Sequence, residues 1–92
     1  IMFFVYLLQH THDRSLYIGR TKDLKKRIKE HNSLKNKSTV RKEGQWEIIY
    51  CEIYRSQTDA QERERKLKNH GSGKHELYKR IKNSLLPKTG AG

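Results

Sequence analysis

Glu64 stands where a carboxylate is costly. In Ala60-Gln-Glu-Arg-Glu64-Arg-Lys-Leu67, Ala60 and Leu67 mark the inward face of a helix, and Glu64 falls on that face between them. An inward charge is strongly unfavourable unless it is paired or holds a cation. Two chemistries satisfy it. One is an ion pair with one of the 21 Lys and Arg residues of the chain. The other is a hard divalent cation such as Mg²⁺, which takes one or two carboxylates and completes its shell with water and phosphate oxygens. Two phenols, Tyr6 and Tyr17, lie in short apolar runs, where they either pack or present a hydroxyl to a reacting group. Arg27 and His31 are spaced i,i+4 beside Leu24 and Ile28, either as a solvated helix face or as a guanidinium and an imidazole aimed at a shared ligand.

The surrounding pattern says what must hold these groups. Phe3-Phe4-Val5-Tyr6-Leu7-Leu8 is a continuous apolar run rich in β-formers, which predicts a strand covered on both faces. His10 to Ser15 reads as a polar connector, and Leu16-Tyr17-Ile18-Gly19 as a second strand paired antiparallel to the first, which brings Tyr6 and Tyr17 close together. Thr21 is the expected N-cap of a helix over roughly 22–32. Residues 33–44 lack periodicity and read as a mobile loop. Trp46 to Tyr54 is a third strand, rich in β-branched and aromatic residues. Ser56 or Thr58 caps a helix reaching about Asn69, and Gly71 ends it. Ser72 opens a last helix with Leu77, Ile81 and Leu85 as its apolar stripe. The order β-β-α-β-α-α predicts an α+β domain over residues 1–86, a small three-stranded antiparallel sheet with three helices packed on it. Residues 87–92 read as a disordered tail.

Composition narrows the partners. The 92 residues carry a net charge of +11, and 34% of them are charged against 33% hydrophobic. Residues 20–42 hold a net of +8 and residues 61–82 a net of +5, flanking a segment, 43–60, that is slightly acidic. A polyanion-facing surface explains two like-signed blocks better than two solvated helix faces do. The single cysteine, Cys51, excludes an intramolecular disulfide framework and any multi-cysteine zinc site, and suits a reducing compartment. No apolar run is long enough for a membrane span, and IMFFVYLL lacks the flanks of a signal peptide. The expectation is a cytoplasmic protein, nucleoid-associated in a bacterium, with no membrane partner.

The stretch Leu16-Tyr17-Ile18-Gly19-Arg20 through Arg27 to His31-Asn32, preceded by Val5-Tyr6-Leu7 and followed by Ala60 to Leu67, resembles the GIY-YIG endonuclease superfamily. It is most similar to the small single-domain members and to the N-terminal nuclease domain of the bacterial excision-repair endonuclease. The resemblance covers residues 3–85, and one departure is Val5-Tyr6-Leu7 in place of Gly-Ile-Tyr, which keeps the tyrosine and loses the glycine. The resemblance implies that Tyr17 polarises or deprotonates the attacking water and that Tyr6 contacts the scissile phosphate or shares that role. It further implies that Arg27 stabilises the transition state, that His31 stands nearby, and that Glu64 alone holds the metal, Mg²⁺ or Mn²⁺. Arg20 matches a position often basic in the family. Arg20, Lys22, Lys26, Lys35, Lys37, Arg41 and Lys68 are the expected nucleic-acid contacts.

The expected activity is therefore divalent-metal-dependent hydrolysis of a DNA phosphodiester in repair, recombination or mobile-element processing, with an accessory protein as a source of specificity. The alternatives are a non-catalytic nucleic-acid-binding module on the same scaffold and a basic adaptor for an acidic partner. An adaptor leaves the joint spacing of Tyr6, Tyr17, Arg27 and Glu64 unexplained.

Overall fold

The computed structural model describes residues 1–33, 43–69 and 71–87. Its elements follow in the order β1 (Phe3–His10), β2 (Leu16–Thr21), α1 (Leu24–His31), β3 (Trp46–Tyr54), α2 (Gln57–Lys68) and α3 (Ser72–Arg80). The strands form one antiparallel sheet in the order β2-β1-β3, so the most apolar strand is the central one. Residues Val5 to His10 of β1 are all buried, which agrees with a strand covered on both faces.

Alternation along β1 divides the interior into two layers. Val5 and Leu7 face α2 and α3, packing with Ile18, Ala60, Leu67, Leu77 and Ile81. Tyr6 and Leu8 face the other way, toward Trp46, Tyr17 and the Leu24 and Ile28 side chains of α1. α1 therefore lies on one face of the sheet and the α2–α3 pair on the other, with β2 as an open edge between them.

Several sequence-based boundaries shift. β1 runs on through Gln9 and His10, which are buried although the sequence reads His10 as part of a polar connector. His10 is held by ring contact with Trp46, the centroids 5.1 Å apart, and its Nδ1 accepts from the backbone N–H of His12 at 3.2 Å. The cap of α1 is Asp23, whose carboxylate accepts from Lys26 N at 3.1 Å, and not Thr21. Thr21 instead accepts from Asp23 N, turning the chain out of β2 into the helix. Ser56 caps α2 as expected. α3 ends at Arg80 with Ile81 as its C-cap, so Leu85 falls outside the helix and its stripe is Leu77 and Ile81 alone. A bulge between Leu7 and Leu8 in the pairing with β3 shifts the register by one residue. The loop expected over 33–44 falls largely on residues 34–42, outside the described residues, as do residues 88–92 of the expected tail. Leu86 and Pro87 are tied back: Leu86 N donates to Gln9 Oε1 at 2.6 Å, and the Pro87 carbonyl accepts from Arg14 Nε.

The register sets Tyr6 directly across from Gly19. A Cβ at position 19 would collide with the Tyr6 hydroxyl, 2.5 Å from Tyr6 Cζ and 3.0 Å from Tyr17 Cε1. The glycine is thus a notch that lets one phenol lie over the neighbouring strand beside the other. Gly19→Ala is expected to cost roughly 1–3 kcal/mol by overpacking. Urea unfolding monitored by circular dichroism checks it, and a stability equal to wild type would contradict the notch.

Candidate active site

Four of the expected residues converge on the α1 face. Tyr6 is buried in the central strand, and its hydroxyl lies 2.9 Å from His31 Nε2 at the last turn of α1. Tyr17, one strand over, sets its ring 6.4 Å from that of Tyr6 and 4.5 Å from the His31 imidazole, edge-on. Arg27 lies one turn before His31, with Nη1 3.2 Å from Glu30 Oε1, and its charge reaches the Tyr6 phenol. The i,i+4 spacing of Arg27 and His31 places both on the face that α1 turns toward the sheet.

Burial dominates the titration of this group. It pushes the Tyr6 phenol up to about 12, against the downward pull of Arg27. It pushes His31 down to about 4, and the Arg27 charge adds to that. Around neutral pH the pair is therefore a protonated phenol and a neutral imidazole. Of the two phenols, Tyr6 is sealed and Tyr17 is the partly exposed one.

Glu64 approaches the same sheet edge from the other side. Its neighbours Ala60 and Leu67 are fully buried, so α2 does turn this carboxylate inward, leaving its side chain 19% exposed. Both oxygens face cations: Oε1 accepts from Arg20 Nε at 3.2 Å and Oε2 lies 3.1 Å from Lys68 Nζ. The ion-pair alternative raised by the sequence is thus present, with two partners. Lys68 also links the faces, because its Nζ stands 5.9 Å from the centre of the Tyr17 ring.

The preceding residue on α2 shows what a structural carboxylate pair looks like in this fold. Arg63 grips Glu52 of β3 bidentately, with Nε 2.9 Å and Nη2 3.0 Å from its two oxygens, and the Tyr50 and Tyr54 hydroxyls donate to the same carboxylate. Burial there works against the charge, but Arg63 and the two phenols outweigh it and hold the carboxyl of Glu52 below its usual value. Glu64 has no such cage: one of its cations, Lys68, has half of its side-chain surface exposed. Glu52 is locked and Glu64 is exchangeable.

The remaining expected contacts are less convergent. Lys22 and Lys26 are exposed at the start of α1. Lys35, Lys37 and Arg41 lie outside the described residues. Two residues that the sequence reading left without a role complete the cluster. Trp46 is buried against the rings of His31, Tyr17 and His10. Asn32 clamps the end of α1 to the start of β3: its Oδ1 accepts from Trp46 N at 2.7 Å and its Nδ2 donates to Trp46 O at 3.1 Å. No local signal marks this clamp, since its partners are separated by the loop.

A sheet with two phenols, an arginine, an imidazole and a lone inward glutamate at one edge defines a class. The GIY-YIG catalytic domain model matches residues 2–79, and the chain belongs to that family, within the nuclease superfamily. Among its relatives is a UPF0213 protein of Clostridium perfringens, 40% identical over 63 residues, which span 68% of this chain and 67% of that one. A UPF0213 protein of Bacillus pumilus is 36% identical over 66 residues, 72% of this chain and 67% of the other. The solution structure of a UPF0213 protein from Bacillus halodurans superposes with a TM-score of 0.54 at 29% identity, covering 89% of this chain and 86% of that one. Among the described residues, no helix is long and apolar enough to cross a membrane.

The buried imidazole makes stability pH-dependent with a definite sign. His31 titrates at about 4 when folded and near its ordinary 6.5 when unfolded, so the unfolded chain takes up the proton first. Its contribution is complete above pH 6.5 and is lost as the pH falls toward 4. Wild type should lose on the order of 2–3 kcal/mol more than His31→Gln between pH 7.5 and pH 4.5. Urea unfolding at the two pH values measures this, and equal losses would contradict a buried neutral His31.

Proposed function

We propose that the chain is a divalent-metal-dependent endonuclease that hydrolyses a DNA phosphodiester bond in repair, recombination or mobile-element processing. The carrying observation is Glu64, an inward carboxylate held only by exchangeable cations, at the sheet edge where Tyr17 and Lys68 meet.

The donor set suits a cation that arrives with most of its own ligands. Among the described residues, no group of three or more His, Cys, Asp or Glu is placed to hold a metal. Glu64 is a single, partly exposed carboxylate, which fits Mg²⁺ or Mn²⁺ completed by water and substrate phosphate oxygens. Bound there, the ion supplies positive charge to the phosphate and to the leaving 3′-oxygen.

The other residues act on the phosphate and the water. Arg27 provides fixed positive charge where negative charge grows in the transition state. Tyr17, the accessible phenol, orients and polarises the attacking water. Tyr6, protonated and pinned at His31, serves as a donor to a phosphate oxygen: with His31 Nε2–H donating to its oxygen, its own hydrogen is released toward the substrate. Arg20 and Lys68 leave Glu64 for DNA phosphates as the metal takes their place. An accessory protein supplies specificity, since no element is shaped as a base-reading helix.

The doubly paired state of Glu64 also favours a second reading, a non-catalytic DNA-binding module in which the carboxylate only organises Arg20 and Lys68. Nicking of supercoiled plasmid in Mg²⁺, with a chelator control, separates the two. Glu64→Gln and Tyr17→Phe should each abolish metal-dependent nicking, and Arg27→Ala should slow it by roughly 10²–10³-fold. DNA affinity of Glu64→Gln should be equal or higher, because two cations are freed for phosphate. Undiminished cutting by Glu64→Gln would overturn the metal assignment, and a wild type that binds DNA but never cuts it would favour the module.

A further inference from the structure

A groove of about 370 Å³ runs between the outer edge of β2 and α3, lined by Leu16, Tyr17, Ile18, Lys68, Lys74 and Tyr78. It is continuous with the candidate active site, since Tyr17 and Lys68 belong to both. Its far end repeats the chemistry of its near end. Lys74 Nζ stands 5.8 Å from the centre of the Tyr78 ring, as Lys68 Nζ stands 5.9 Å from that of Tyr17. Tyr78 packs against the core of Val5, Leu67 and Leu77 while remaining partly exposed, so its ring is anchored and still borders the groove.

Ammonium groups alternating with aromatic rings suit a particular ligand. Lysines grip phosphates irrespective of sequence. An aromatic ring offers a stacking face to any base, and only an unpaired base can leave its own stack to use it. A duplex meets such a groove with its backbone alone. The volume lies within the roughly 300–1,000 Å³ of ligand-sized sites. We infer that the groove holds an unpaired DNA nucleotide adjoining the scissile phosphate, its base on the Tyr78 ring and its flanking phosphates on Lys74 and Lys68. The inference rests on the endonuclease reading and deepens it: the substrate is DNA with unpaired nucleotides at the cut, rather than an uninterrupted duplex.

Binding in EDTA tests the groove without any cutting. Fluorescence anisotropy compares a single-stranded oligonucleotide with a hairpin duplex of the same length. Wild type should prefer the single strand. Tyr78→Leu, which keeps apolar volume against the core, should weaken single-strand binding by roughly 10-fold and leave duplex binding unchanged. Tyr78→Phe should bind as wild type does, which separates loss of the ring from loss of packing. Lys74→Ala should weaken both ligands and reduce the salt slope by about one. A 2-aminopurine base in the single strand should be quenched by wild type and by Tyr78→Phe but not by Tyr78→Leu. Equal single-strand binding and quenching by wild type and Tyr78→Leu would overturn the inference. The plasmid assay keeps the two readings apart. A protein that nicks through Glu64 yet ignores Tyr78→Leu loses the groove alone. One that binds through Tyr78 and never cuts loses the endonuclease reading alone.

Discussion

The central strand is buried on both faces in a chain with little apolar material to spare, and one of its inward residues carries a hydroxyl. Tyr6 cannot leave that hydroxyl unbonded in the layer beneath α1. His31 Nε2 meets it at 2.9 Å, and this bond fixes much else. It requires the last turn of α1 to lie over β1, which carries Arg27 to the same face. It requires a notch across the strand pair, which Gly19 provides. It also requires a wall against water, which Trp46 supplies once Asn32 has clamped it to the helix end. The cluster of rings follows from satisfying one buried oxygen.

Much of this was legible in the sequence, because the decisive signals were local. The apolar run of β1, the β-branched run of β3 and the inward turn of Glu64 between Ala60 and Leu67 are read from periodicity alone, and the structure agrees with each. The pairing of β1 with β2 followed from a short connector, and with it the approach of Tyr6 to Tyr17. What was not legible depends on partners distant in the chain. His10 looks like loop chemistry until Trp46 covers it. Asn32 looks like an ordinary helix end until β3 starts beside it. Thr21 and Asp23 are both good caps by type, and only the backbone path decides between them. Leu85 continues an apolar stripe that the chain abandons at Ile81, because the following segment turns to meet Gln9.

The electrostatic layout has the same economy. An excess of 11 positive charges gives every carboxylate a choice of partners, so pairing by itself does not distinguish a structural acid from a functional one. Geometry does. Glu52 is enclosed by a bidentate arginine and two phenols, an arrangement with no room for another ligand. Glu64 meets two cations singly, at a partly exposed edge, and both cations have phosphates as an alternative. A lone carboxylate of this kind binds a divalent ion poorly by itself and better when DNA both draws away its cations and contributes oxygens. Metal and DNA affinity should then be mutually reinforcing, each raising the other by the same factor.

That reciprocity is open to direct measurement. Mn²⁺ binding is followed by electron paramagnetic resonance for wild type and Glu64→Gln, each with and without a phosphorothioate-protected oligonucleotide. The account predicts weak uptake by wild type alone, a marked tightening when DNA is added, and loss of that DNA-dependent site in Glu64→Gln. Identical Mn²⁺ binding by wild type and Glu64→Gln in the presence of DNA would contradict it.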